Sequence, residues 1–156
     1  GVIPPPGFSL PWFTRRGLPL KLTIAIPFAP VAKGRPRMTR QGRAYTPAKT
    51  REAEGKIIAY FLTLGVTPKI GPLDVSIFAI MPSPESWSKA KQANALAGLI
   101  SPTGKPDLDN ICKLVLDAAN GVLWTDDSQI VKLDLCKAYG GKPGYILSVG
   151  EHKADE

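Results

Sequence analysis

The sequence predicts an α+β fold, a small and mainly antiparallel sheet with helices packed on one face. Three observations predict it. Three segments alternate apolar and polar residues with the two-residue period of a strand, and at least two others repeat apolar residues at helical spacing. In order they run β-α-β-(α)-α-β-β, not the regular alternation that builds an all-parallel sheet. The length of 156 residues, 44% of them apolar and 21% charged, suits one globular domain with a sizeable core.

The stretch Leu20–Pro27 sets Leu22, Ile24 and Ile26 against Lys21, Thr23 and Ala25, a half-buried strand. A loop rich in cations and turn formers follows, from Pro27 to Pro47. Helix signals then begin, with Glu52 and Glu54 early and Ile57, Ile58, Phe61 and Leu62 as the apolar set, until Gly65 and Pro68 end it. Leu73–Met81 alternates again, with Val75, Ile77 and Ala79 on one side. Between Ser83 and Ile100 the pattern fits either a short helix opening near Trp87 or an inserted loop. Ser101–Pro106 leads into a helix from Asp107 to Asn120, stopped at Gly121. Ser128–Lys137 alternates with Val131, Leu133 and Leu135 on one face. A turn at Gly140–Gly144 precedes a last strand, Tyr145–Val149. The predicted organisation is a flexible leader over 1–19, a single domain over 20–150 and a short tail over 151–156.

Composition narrows the chemistry. The sequence holds two cysteines, Cys112 and Cys136, and one histidine, His152. These are too few and too scattered for a zinc framework, which needs four close Cys or His ligands. With His152 in the tail, Ser-His-Asp and Cys-His catalysis are also disfavoured. The cysteines read as reduced, buried thiols of a cytoplasmic protein. No apolar run is long enough to span a membrane, and the first twenty residues lack a secretory h-region. The net charge of +7 is unevenly spread. Residues 1–60 carry eleven Lys/Arg against two acids, and the remainder nine against eleven. A basic front and a locally acidic back suit a protein that holds a polyanion with one region and a metal with another. A solvated basic surface is the plainer alternative.

The segment KPDLDNICKLVLDAANGVLWTDD concentrates the acids. On a helix, Leu108, Ile111, Leu114, Val115 and Ala118 form the buried side, and Asp109, Lys113 and Asp117 stack on the other. Taken singly these have ordinary explanations: Asp107 as an N-cap, Asp109 and Lys113 as an ion pair worth a few tenths of a kcal/mol. The pair Asp126-Asp127 is not covered by them. If the returning chain brings it to the helix start, carboxylates within about 4–6 Å raise one another's pKa unless a cation intervenes. Oxygen-only ligands select Mg²⁺, with Mn²⁺ a workable substitute, over zinc. Asp107, Asp109 and Asp127 are the candidate ligands, with Asp126 assisting or orienting them. Lys113 is the candidate phosphate contact.

The motifs Lys105-Pro106-Asp107-Leu108-Asp109-Asn110, then Lys113, Asp117-Ala118 and Trp124-Thr125-Asp126-Asp127-Ser128-Gln129-Ile130-Val131, resemble the RusA family of Holliday-junction resolvases of bacteria and their phages. The front motifs Val31-Ala32-Lys33-Gly34-Arg35-Pro36-Arg37 and Gly42-Arg43-Ala44-Tyr45-Thr46-Pro47 are similar to the start of longer phage-type members. Together they cover about Leu20 to Val149. The resemblance implies a homodimeric, Mg²⁺-dependent endonuclease that nicks symmetric strands of four-way DNA junctions. It implies that the family's three aspartates are Asp107, Asp109 and Asp127, and its essential lysine Lys113. Two departures stand out: Lys105 replaces an arginine run before the first aspartate, and the Pro82–Ile100 stretch is longer than in short members.

Lys33, Arg35, Arg37, Arg40 and Arg43 crowd the front loop beside Tyr45, with no acid among them. They are candidate phosphate contacts, with Tyr45 available to stack on an unpaired base and Lys105 as a further DNA contact. Trp124 reads as core. Lys137 emerges at the end of its strand. Two other functions fit the same residues: a general nuclease of branched or single-stranded DNA, which substrate preference would separate, and a DNA-binding protein without catalysis. Retention of Asp107, Asp109, Lys113 and Asp127 together disfavours the last.

Overall fold

The computed structural model describes residues 22–153, so the predicted leader, Trp12 included, lies outside the described residues. In chain order the elements are β1 (Leu22–Ile26), β2 (Arg37–Met38), β3 (Ala44–Tyr45), α1 (Ala48–Thr63), β4 (Leu73–Met81), α2 (Lys89–Leu96), α3 (Leu108–Ala119), β5 (Ile130–Tyr139) and β6 (Gly144–Glu151), with one turn of 3-10 helix at Asp127–Gln129 before β5. This is the α+β order that the sequence predicts, plus a hairpin inside the front loop. By their backbone contacts these residues form two compact units, one of residues 22–30, 71–104 and 130–153, the other of residues 31–70 and 105–129.

The first unit is built on a four-stranded sheet ordered β1-β6-β4-β5. Strand β6 runs antiparallel to both β1 and β4, and β5 lies parallel to β4 at the edge. Parallel neighbours need a crossover, and the connection through residues 82–129 supplies it. Strands β4 and β6 are interior and buried along nearly their whole length. The expected single buried side of β4 (Val75, Ile77, Ala79) is therefore joined by Phe78 and Ile80, which pack with Ile146 on the opposite face against Cys136 and Ala138. The edge strand departs from expectation in the other direction. Val131 is 56% exposed and Leu133 42%.

The Pro82–Ile100 stretch resolves into α2, capped by Ser88, whose Oγ accepts from the Lys91 N–H at 3.2 Å. Trp87 lies under the Lys91 ammonium, 4.1 Å from the ring centre, and meets Tyr139 of β5 edge-on at 5.3 Å. The ring pair thus holds the insertion to the end of the sheet, and the cation–π contact braces Trp87 within the insertion. His152 follows β6 directly. Its Nδ1 lies 2.7 Å from Asp74 Oδ1 and its backbone N–H donates to Pro72 O at 2.9 Å, so the chain is tied down one residue past the strand.

In the second unit, α1 packs on α3. Ile57 and Phe61, one turn apart, are the buried residues of the predicted apolar set, and Leu62 faces out. Gly65 takes a φ of +64° and closes the helix, as its left-handed conformation requires. Helix α3 buries Ile111, Leu114, Val115 and Ala118 as predicted, and Cys112 and Ala119 besides, whereas Leu108, at its first position, is only half-buried. No helix among the described residues is long and apolar enough to cross a membrane.

Candidate active site and nucleic-acid interface

Every candidate residue from Lys33 to Gln129 belongs to the second unit. The head of α3 carries the first two acids. Asp107 holds the N-cap position with extended backbone, yet its carboxylate makes no capping bond. It accepts from Lys105 Nζ at 3.0 and 3.1 Å instead. Asp109 stands exposed in the first turn. Both benefit from the positive end of the helix dipole, which favours anions there.

One turn and two turns farther lie Lys113 and Asp117. Lys113 Nζ is 3.9 Å from Asp117 Oδ1, so it pairs toward the C-terminal acid and remains largely exposed. The other Asp117 oxygen accepts from Lys33 Nζ. The Lys33 backbone N–H also donates to Asn110 O at 3.3 Å. With its side chain only 21% exposed, Lys33 differs from the other front-loop cations. Its charge is met inside the protein, where it fastens the loop to α3.

The second acidic pair sits at the opposite end of the helix. Asn120 caps α3, and its Oδ1 accepts from the Asp127 N–H at 3.1 Å. Trp124, fully buried, donates from Nε1 to Asp127 Oδ1 at 2.7 Å. Asp126 accepts from the Ser128 hydroxyl and from backbone N–H groups, and these bonds hold its carboxyl below the usual carboxylate range. Gln129 braces the turn, accepting from the Asp126 N–H at 2.8 Å and donating to Lys69 O at 3.0 Å. Gly121, at a φ of +78°, reverses the chain, and its N–H donates to Trp124 O. The chain therefore folds back on the last turn of α3, not on its first. Twelve helical residues span about 18 Å. The approach of Asp127 to the helix start, expected from the sequence, is not found. Lys113 lies about midway between the two acidic groups.

Among the described residues no three His, Cys, Asp or Glu side chains gather where one metal ion could hold them. Magnesium keeps several waters and is commonly held by one or two carboxylates plus substrate phosphates. Asp107 and Asp109 supply such a pair, exposed and made only of oxygen donors, so the head of α3 fits a hard divalent ion by its chemistry. Asp127 does not join them in this fold.

The front loop carries the candidate nucleic-acid contacts. Arg37 and Met38 pair with Tyr45 and Ala44 across a turn in which Gly42, at a φ of +80°, donates to Thr39 O at 3.0 Å. The Arg43 N–H donates to Thr39 Oγ1. Strand alternation then sets Arg37, Arg43 and Tyr45 on one face of the hairpin. Arg35, Arg37, Arg40, Arg43 and Tyr45 are all exposed. The residues that sequence reasoning missed here are Lys49, Thr50 and Asn110, of which only Asn110, beside Asp109, carried a signal.

Residues 27–149 match the profile of a family described as Endodeoxyribonuclease RusA. An uncharacterized protein of Bacillus subtilis (strain 168), YqaN, is 38% identical over 132 residues, which cover 80% of this chain and 92% of that protein. All the site residues above lie inside both the profile match and the second unit.

Proposed function

The chain belongs to the RusA endodeoxyribonuclease family, and from that premise we propose that it is a Mg²⁺-dependent endonuclease resolving four-way DNA junctions by paired, symmetric nicks. It would serve recombination and repair in the cytoplasm. The observation that carries this reading is that one compact unit joins Asp107, Asp109 and Lys113 on a single helix to a hairpin of exposed arginines.

In this reading Asp107 and Asp109 hold the ion, which when bound polarises a phosphate oxygen and lowers the pKa of a water for in-line attack. Lys113 offsets charge that builds on the phosphate during attack. Arg35, Arg37, Arg40 and Arg43 neutralise backbone phosphates, and Tyr45 stacks on an unpaired base. Asp126 and Asp127 form a second acidic group at the far end of α3, held by Ser128, Asn120 and Trp124. The products are a 5′-phosphate and a 3′-hydroxyl that a ligase can reseal.

Paired nicks need two sites related by two-fold symmetry, hence a homodimer. The β5 edge, open among the described residues, supports one. An antiparallel pairing of two β5 strands about Leu133 sets Lys132 opposite Asp134 of the partner subunit, and Val131 opposite Leu135. Both exposed apolar side chains of that edge would then be covered. The test is cleavage of a labelled four-way junction, beside linear duplex and single strands, with Mg²⁺ or with EDTA. Equal cutting of all three substrates would replace this reading with that of a general nuclease.

A further inference from the structure

We propose that the open cleft beside Asp107 is a binding site for a single unpaired DNA nucleotide. The proposal rests on the reading of the second unit as a DNA-strand site, but it needs neither a metal ion nor a junction.

The cleft encloses about 560 Å³, within the range of roughly 300–1,000 Å³ that small-ligand sites occupy. One wall comes from the front loop and the start of α1, the other from the chain entering α3. Its lining has two characters. Pro47 and Pro106, with Val31 and Ala32 beside them, make an apolar surface. Arg37 and Lys49 bring two cations to the same cleft, beside the ion pair of Lys105 with the one carboxylate, Asp107. An inorganic anion would have no use for the apolar wall, and an apolar ligand none for the cations. A nucleotide uses both, its base meeting the apolar residues and its phosphates the cations. Asn110 adds a carboxamide, a donor and an acceptor together, which is the combination that reads a base edge. A base can enter such a cleft only when it is out of the duplex stack.

The walls are fixed before any ligand arrives. The Gly34 N–H donates to Thr50 Oγ1 at 2.9 Å, and Thr50 is 3% exposed. A Cβ at Gly34 would fall 2.7 Å from that oxygen and 3.0 Å from Pro47 Cγ, so glycine permits the close approach that sets the Pro47 wall. Lys33, bonded to both Asp117 and Asn110 O, fastens the loop to the opposite wall. A preformed cleft avoids the ordering cost of assembling one around its ligand.

The test is titration of the full chain, in EDTA, with thymidine 3′,5′-bisphosphate, followed by calorimetry and by amide NMR shifts. Saturable binding is expected, with shifts at Val31–Thr50 and Lys105–Asn110. The double variant Arg37→Ala/Lys49→Ala, two exposed side chains whose loss spares the fold, should weaken it by about tenfold or more. Asn110→Ala should narrow the differences among the four nucleoside bisphosphates. Absence of saturation, equal affinity in the double variant, or displacement by inorganic phosphate at matched concentration would each overturn the proposal. Junction cleavage without nucleotide binding sinks the cleft and leaves the nuclease reading. Nucleotide binding without any DNA cleavage does the reverse.

Discussion

Replacing Arg35 and Arg37 with alanine removes two of the four exposed arginines of the front loop, neither of which makes an ion pair among the described residues. Counterion release makes each duplex phosphate contact worth about 0.9 in the slope of log K against log[salt]. If each arginine meets one phosphate, the double variant should flatten that slope by about 1.8. Between 50 and 200 mM salt, the affinity gap between wild type and variant should then narrow by about twelvefold. Lys33 provides the internal control, because its ammonium is bonded to Asp117 and its side chain is only 21% exposed. Lys33→Ala should leave the slope nearly unchanged and lower stability by up to about 1 kcal/mol. Fluorescence anisotropy of a labelled junction in EDTA, at four or five salt concentrations, reads all three proteins. An unchanged slope for the double variant would refute the interface, and a full unit of flattening for Lys33→Ala would refute the separate role given to Lys33.

The β5 edge makes a prediction about assembly: Lys132→Asp or Asp134→Lys alone sets like charges opposite each other and shifts sedimentation toward monomer, whereas the two together restore the dimer. A dimer indifferent to all three variants would place its interface elsewhere. Trp124→Phe removes the donor to Asp127 and part of a fully buried ring, and should cost about 2 kcal/mol in urea unfolding. A loss below about 0.5 kcal/mol would contradict the bracing role of that bond. Cys112 is buried, and burial pushes the Cys136 thiol up, so the native protein should react slowly with a disulfide reagent at pH 8 and release two thiols once unfolded. Fast reaction of the native protein would contradict the packing.

The parts of the fold that sequence made legible are those fixed by local periodicity. The buried side of α3 followed from spacing because a helix with one apolar stripe has one way to bury it. Periodicity does not say which strand lies at a sheet edge. Val131, Leu133 and Leu135 alternate like a core-facing set, yet among the described residues β5 has only one neighbour, and two of the three remain exposed. The converse holds for β4, an interior strand whose nearly continuous apolar run is buried on both faces. The front hairpin has two residues per strand, too few for any period, and Gly42 was its sole local sign.

The site divides along the same line. Asp109, Lys113 and Asp117 were correctly read as neighbours on one helix face, since that depends only on helical geometry. Two features depend on contacts distant in sequence or on turn chemistry, and neither was legible. Lys33 meets Asp117 across 84 positions. The place of Asp127 is decided by the reversal at Gly121 and by the Asn120 side chain, which keep it at the far end of α3.

The central claim is tested most directly by cleavage of an end-labelled four-way junction in Mg²⁺, comparing wild type with Asp109→Asn. That substitution removes a charge and a metal-binding oxygen but little volume. Wild type should give paired, ligatable nicks that vanish in EDTA, and Asp109→Asn should bind the junction as tightly as wild type without cutting it. Cutting that persists in EDTA, or in Asp109→Asn, would contradict the account.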